Sequence, residues 1–241
     1  MNTHSTPTSP IPPVPSTSSA PAPANAWFIT GTDTEVGKTF STCTLLHVLK
    51  QRGIRAVGMK PVAAGIDADG KNDDVESLIA ASGVEAPRPL VNPYLFAPPI
   101  APHIAAQETG EHIDIERIAT AFDALRTLAD AVLVEGVGGF RVPLDAEHDA
   151  GDLAKRLGLP VILVVGMRLG CINHALLTAE SVAAAGLPLA GWIANRIDPA
   201  MSRWEGNLAA LQARLPVPLL GIIPPHSTPE AAARLLHLPG E

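Results

Sequence analysis

The stretch Gly31–Thr39, GTDTEVGKT, places a lysine and a hydroxyl directly after a glycine. That order suits a polyphosphate. Backbone N–H groups left unpaired at a helix start, with the helix dipole behind them, cradle phosphate oxygens; Lys38 adds charge near the terminal phosphate, and the Thr39 hydroxyl can ligate Mg²⁺. Gly37 lets the backbone approach the phosphates closely. The usual spacing leaves about four residues between the two glycines, whereas five, Thr32 to Val36, separate Gly31 from Gly37. Two of the five are acids, Asp33 and Glu35, in a place where phosphates would disfavour them. The plain alternative is a strand–helix turn with a chance Gly-Lys-Thr.

Such a loop needs a strand to deliver it and a helix to receive it. AWFIT precedes it and FSTCTLLHVLKQRG follows it, which meets both needs. Further along, the apolar runs IRAVGMK, AVLVEG, PVILVVG, LAGWIAN and PLLGIIP read as strands buried on both faces of a parallel sheet. Between them the pattern predicts helices over Lys38 to Gln51, Asp74 to Ala81, Ile115 to Ala129, Asp152 to Leu157, Asn173 to Ala184 and Met201 to Leu215. The expected fold is α/β: a single P-loop NTPase-type domain, a mostly parallel sheet with helices on both faces. The Pro-rich passage Ala86–Pro102 reads as a loop over the ligand-binding end of the sheet.

A phosphate site needs acids to hold its metal. The strand in DAVLVEGVGG delivers Glu135 at its carboxyl end, the edge where open parallel sheets bind ligands. Burial alone does not account for an acid there, because an unpaired buried carboxylate is costly; a solvated loop acid is the other reading. In GKNDDVESLIA, Asp73 and Asp74 begin a helix, and local spacing favours N-capping over metal binding. In MRLGCINHALLT a strand end meets a helix start, so exposed N–H groups at Gly170 and Cys171, with the Asn173 amide, would suit a carboxylate. His174 reads as an ordinary helix residue.

Composition excludes other classes. The 241 residues, 46% of them hydrophobic, suffice for one α/β core, and a net charge of -7 without a basic stripe argues against a nucleic-acid partner. No run is long and apolar enough for a membrane span. Cys43 and Cys171 lack the spacing of a disulfide framework or zinc site, which points to the cytoplasm. Residues 1–25, with seven Pro, five Ser, four Thr and no charged side chain, are expected to form a disordered tail before a domain over 26–241. They carry neither the basic start nor the apolar core of a secretory signal.

GTDTEVGKT, GMKPVAAG, VEGVGG, LGCINH and GWIAN occur in this order in one chain. Together they resemble the dethiobiotin synthetases, ATP-dependent enzymes of biotin synthesis, from Trp27 to about Pro224. The resemblance implies a cyclo-ligase using ATP and Mg²⁺. CO₂ adds to one amine of 7,8-diaminopelargonic acid to give a carbamate, ATP phosphorylates the carbamate, and the second amine closes the ureido ring with loss of phosphate. It further implies a homodimer with the substrate across the interface.

Residue roles follow from the resemblance. Lys38, Lys60, Thr34 and Glu35 are expected at the reacting centre, with Glu35 near the substrate's nitrogen end and Asp33 shaping the turn. Thr39, Asp74 and Glu135 are expected to hold the metal. Gly37, Lys38 and Thr39 would meet the phosphates; Asn195, whose amide matches the paired edge of adenine, and the backbone near Pro224 would meet the base. Lys60 would also bind the substrate, and Gly170, Cys171 and Asn173 of the other subunit its distal carboxylate. Two departures stand out: Ala64 lies where relatives commonly have Ser, and the tail-site Tyr of some relatives is replaced by a helix with Trp204 and Asn207, the only Tyr being Tyr94. Ligases of cobalamin precursors and partitioning ATPases share the loop class, but the former usually carry a glutaminase domain and the latter a signature Lys where Thr32 and Asp33 stand.

Overall fold

The computed structural model describes residues 25–241, so the expectation for the tail lies almost wholly outside the described residues. β1 (Ala26–Gly31) leads through the phosphate loop to α1 (Lys38–Gln51), β2 (Ala56–Met59), β3 (Val62–Ala64) and α2 (Asp73–Ala81). Then come α3 (Arg88–Val91), β4 (Tyr94–Phe96), α4 (Pro102–Thr109), α5 (Ile115–Leu128), β5 (Ala131–Gly139), α6 (Ala150–Leu157) and β6 (Val161–Gly166). The chain continues with α7 (Cys171–Ala184), β7 (Leu189–Asn195), α8 (Trp204–Arg214), β8 (Leu219–Ile223) and α9 (Pro229–Ala232).

The main sheet has the order β2-β5-β1-β6-β7-β8, and every pairing in it is parallel. Successive strand residues serve opposite faces, as the pleat requires. Phe28, Val132 and Val134 join the core under α5 and α6, while Trp27, Ile29 and Leu133 join the one under α1, α2 and α9. α7 and α8 cover Leu163, Val165, Trp192 and Ala194 on the first of these faces. Being covered on both sides is why the strands read as continuous apolar runs.

The passage Ala86–Pro102 departs from expectation. It contains α3, β4 and the first residue of α4, and β4 pairs with β3 in a small parallel sheet. Tyr94 and Phe96 are buried and Leu95 between them is exposed, so the alternation is real but too short to stand out in a Pro-rich segment. Prolines in the first turns of α3 and α4 start those helices without costing an intrahelical bond. Helix boundaries also move: α2 begins at Asp73, α6 at Ala150, α7 at Cys171 and α8 only at Trp204, and α5 and α8 end one residue early, at Leu128 and Arg214.

Candidate functional site

The phosphate loop leaves β1 at Gly31 and enters α1 at Lys38, with Gly37 as N-cap in the left-handed region at φ 84°. Lys38 is buried, and its Nζ donates to the Asp33 carbonyl oxygen at 2.9 Å. Burial pulls its pKa down to about 8, helped by the nearby Lys60 charge. A lysine so placed closes the loop upon itself and presents its ammonium inside the curl.

Behind the loop lies a buried charge cluster. β5 carries Glu135 to full burial, β2 hands over to Lys60, and the two meet at 2.6 Å between Nζ and Oε1. The same Nζ reaches Asp74 Oδ2 at 2.9 Å, and the Thr39 hydroxyl donates to Glu135 Oε1 at 2.7 Å. Burial alone would lower the Lys60 pKa, but Glu135 and Asp74 outweigh it and hold the ammonium above its usual range. Asp74 stays below the usual carboxylate range: burial would raise it, and Lys60 reverses the sign. Glu135 Oε2 is buried without a hydrogen-bond partner among the described residues. An orphaned carboxylate oxygen beside a second acid and a threonine hydroxyl is a donor set that fits Mg²⁺.

The local reading of Asp73 and Asp74 as caps is corrected. Asn72 is the N-cap of α2, its side chain accepting from Val75 N at 3.2 Å, which leaves Asp74 free to reach Lys60. A second correction concerns Cys171. Its N–H donates to the Arg168 carbonyl at 3.0 Å and closes a turn, so it is not open to a carboxylate. The amides of Ile172 and Asn173 have no acceptor among the described residues, and the Asn173 side chain is exposed. Burial pushes the Cys171 thiol up, away from nucleophilic use.

The two loop acids part company. Asp33 Oδ1 accepts from Thr34 N at 2.8 Å and Oδ2 from Arg168 at 2.6 Å, so this carboxylate both shapes the turn and ties it to the β6–α7 connection. Arg168 escaped the sequence reading; its position two residues past the end of β6, on the ligand edge of the sheet, was the available signal. Glu35, in the left-handed region at φ 59°, lines a groove with Gly37, Asn195 and Pro224, a groove whose lining does not include Lys60. The groove has a volume of about 330 Å³ and also includes Arg196 and His226.

Thr34 faces the end of β5: a methyl built on Gly138 would stand 3.5 Å from its hydroxyl. Ala64 ends β3, half-buried. Tyr94 is buried, accepts from Asp114 N at 2.9 Å and carries the Arg117 guanidinium 4.5 Å above its ring, so it is committed to the scaffold. Trp204 packs under Arg196 at 4.2 Å, and Asn207 donates to the Arg203 carbonyl.

Comparison with known proteins gives consistent findings. A family model described as an AAA domain matches residues 25–232. The chain is 58% identical over 220 residues to the "ATP-dependent dethiobiotin synthetase BioD" of Aromatoleum aromaticum, covering 89% of this chain and 98% of that protein. It is also 58% identical over 198 residues to the protein of that name from Nitrosospira multiformis, covering 82% and 87%. Among solved structures, the septum site-determining protein MinD of Pyrococcus horikoshii, complexed with Mg-ADP, superposes with a TM-score of 0.51 at 17% identity, over 83% of this chain and 81% of that one. At that identity the likeness shows the P-loop fold alone.

Proposed function

The chain belongs to the dethiobiotin synthetase family of ATP-dependent ligases, and from that premise we propose that it closes the ureido ring of dethiobiotin from 7,8-diaminopelargonic acid, CO₂ and ATP. One observation carries the reading: Lys60, Asp74, Glu135 and Thr39 meet by direct hydrogen bonds at the head of α1, with Lys38 beside them.

In the first step an amine of the substrate attacks CO₂ and loses a proton, giving a carbamate. A carbamate oxygen then attacks the γ-phosphorus and ADP leaves. The second amine attacks the carbonyl carbon of this carbamic-phosphoric anhydride, phosphate departs, and the attacking nitrogen gives up one proton to solvent, so that each ring nitrogen keeps one. Lys60 is suited to the anionic carbamate because an ammonium has three donors and only two are used, on Glu135 and Asp74. Lys38 and the loop amides meet the charge that develops on the phosphoryl oxygens. Thr39, Asp74 and Glu135 would hold Mg²⁺, which supplies charge neutralisation at the phosphates when bound.

Asn195 and the backbone near Pro224 are assigned to the base, and Glu35, lining the same groove, to charge balance there. Thr34 is kept at the reacting centre. Gly170 and Asn173, with the amide of Ile172, are assigned to the distal carboxylate of a substrate held by a partner copy. Leu169, 91% exposed, and Leu177 on α7 supply an apolar surface for such a homodimer. The cytoplasm is the assigned compartment, in keeping with two free buried thiols. Among the described residues no helix is long and apolar enough to cross a membrane.

The test is phosphate release from ATP with Mg²⁺ and bicarbonate, with and without the diamine, together with mass spectrometry of the product. Diamine-dependent release and a new cyclic urea are expected. ATP binding without that product would separate the fold from the activity.

A further inference from the structure

The phosphate loop is one residue longer than usual, and Val36 is the point at which it is gripped. The Val36 side chain is 1% exposed. A methyl on Gly31 would come within 2.6 Å of its Cγ2, and one on Gly166 within 2.8 Å of its Cγ1, so the side chain fills a slot that these two glycines keep open. On either side the backbone turns through positive φ, at Glu35 and Gly37. The Val36 carbonyl accepts a hydrogen bond from Asn195 Nδ2 at 2.9 Å, in a buried setting. A methyl on Gly37 would stand 2.1 Å from that nitrogen, so the loop closes directly onto the Asn195 amide. Asn195 is itself fixed: it ends β7, pairs with Gly166 on one side and Ile223 on the other, and its carbonyl accepts from Met167 N at 2.7 Å.

We infer that Asn195 is a positioning residue for the phosphate loop, holding Val36 from the end of β7 and so fixing the N–H groups of Gly37, Lys38 and Thr39. One N–H of the amide is spent on Val36; the other N–H and Oδ1 remain for the groove. Base site and phosphate site are thereby joined through one side chain. A loop with an added residue has more backbone freedom to lose on binding, and this hydrogen bond removes part of it beforehand. The inference rests on reading the loop as a nucleotide site, and goes beyond the assignment of Asn195 to the base alone.

The test compares wild type with Asn195→Ala and with Asn195→Asp, which keeps the shape and loses the donor. Backbone amide exchange over residues 31–39 of the ligand-free protein should quicken by about tenfold in both variants, since the local opening is no longer opposed. Binding of inorganic tripolyphosphate, which has no base, should weaken by a factor similar to that for ATP, and kcat at saturating ATP should fall while KM for the diamine holds. Unchanged exchange, with tripolyphosphate affinity intact and only ATP weakened, would make Asn195 a base reader and overturn the inference. A wild-type protein that makes no cyclic urea would sink the dethiobiotin reading, while the exchange result would still decide this one.

Discussion

The ligand edge of the sheet has two unlike halves. Around β2, β5 and β1 the charges are already matched: Lys60 is 3% exposed and donates to Asp74 and Glu135, and Glu135 is fully enclosed and also accepts from the Thr39 hydroxyl. Around the start of α7 the same edge is open, with Leu169 almost fully exposed, Asn173 in solvent, and two helix N–H groups without acceptors among the described residues. The difference separates preparation from completion. Phosphoryl transfer needs charges fixed before the reaction, and a single chain can fix them in its core. Holding the far end of a long substrate needs only a surface, and that surface can wait for a second copy.

Breaking the closed half should have the largest effect. Lys60→Met removes the ammonium that bridges Asp74 and Glu135, and we expect kcat to fall by about 10³-fold, at the upper end for loss of one preorganised donor. It also strands Glu135, which should cost about 3–5 kcal/mol of folding stability. Adding Glu135→Gln should recover much of that stability without activity; urea unfolding and phosphate release measure the two separately. A double variant that regained turnover would show the cluster to be scaffold.

Disturbing the open half should act on substrate and leave the nucleotide alone. Leu169→Glu is expected to shift the assembly toward monomer by light scattering and to raise KM for the diamine by about tenfold, as for loss of an apolar anchor, with ATP affinity unchanged. Equal losses for both ligands would erase the distinction between the halves.

Smaller effects sharpen it. Ala64→Ser restores a hydroxyl beside the small β3–β4 sheet, and a gained hydrogen bond to substrate should lower KM for the diamine by a factor consistent with about 0.5–1.5 kcal/mol. Unchanged KM would mean that the substrate does not reach this position. The two halves touch at Arg168 and Asp33, both partly exposed. A double-mutant cycle on Arg168→Ala and Asp33→Asn should give a coupling of about 0.2–1 kcal/mol, as for exposed ion pairs. A much larger coupling would show that the halves move together.

The same contrast governs what could be read from the sequence. The six strands of the main sheet were legible because burial on both faces makes them long apolar runs. β3 and β4 were not, since three residues carry no period and Pro masked them. Glu135 was legible because an acid at the end of an apolar strand asks for an explanation. Asp74 was ambiguous because two acids at a helix start look like caps, and only the structure shows that Asn72 does the capping. The bond from Arg168 to Asp33 and the grip of Asn195 on Val36 join residues far apart in the chain through turns between distant strands. Local spacing does not encode such turns.

The most direct measurement is turnover with ¹⁸O-labelled bicarbonate, before label washes out, with mass analysis of the released phosphate. If the buried cluster directs the γ-phosphoryl group onto a carbamate oxygen, one labelled oxygen should pass into each phosphate and one remain in the urea carbonyl. Unlabelled phosphate, formed at the same rate without diamine, would mean that water is the acceptor and that the cluster serves ATP hydrolysis alone.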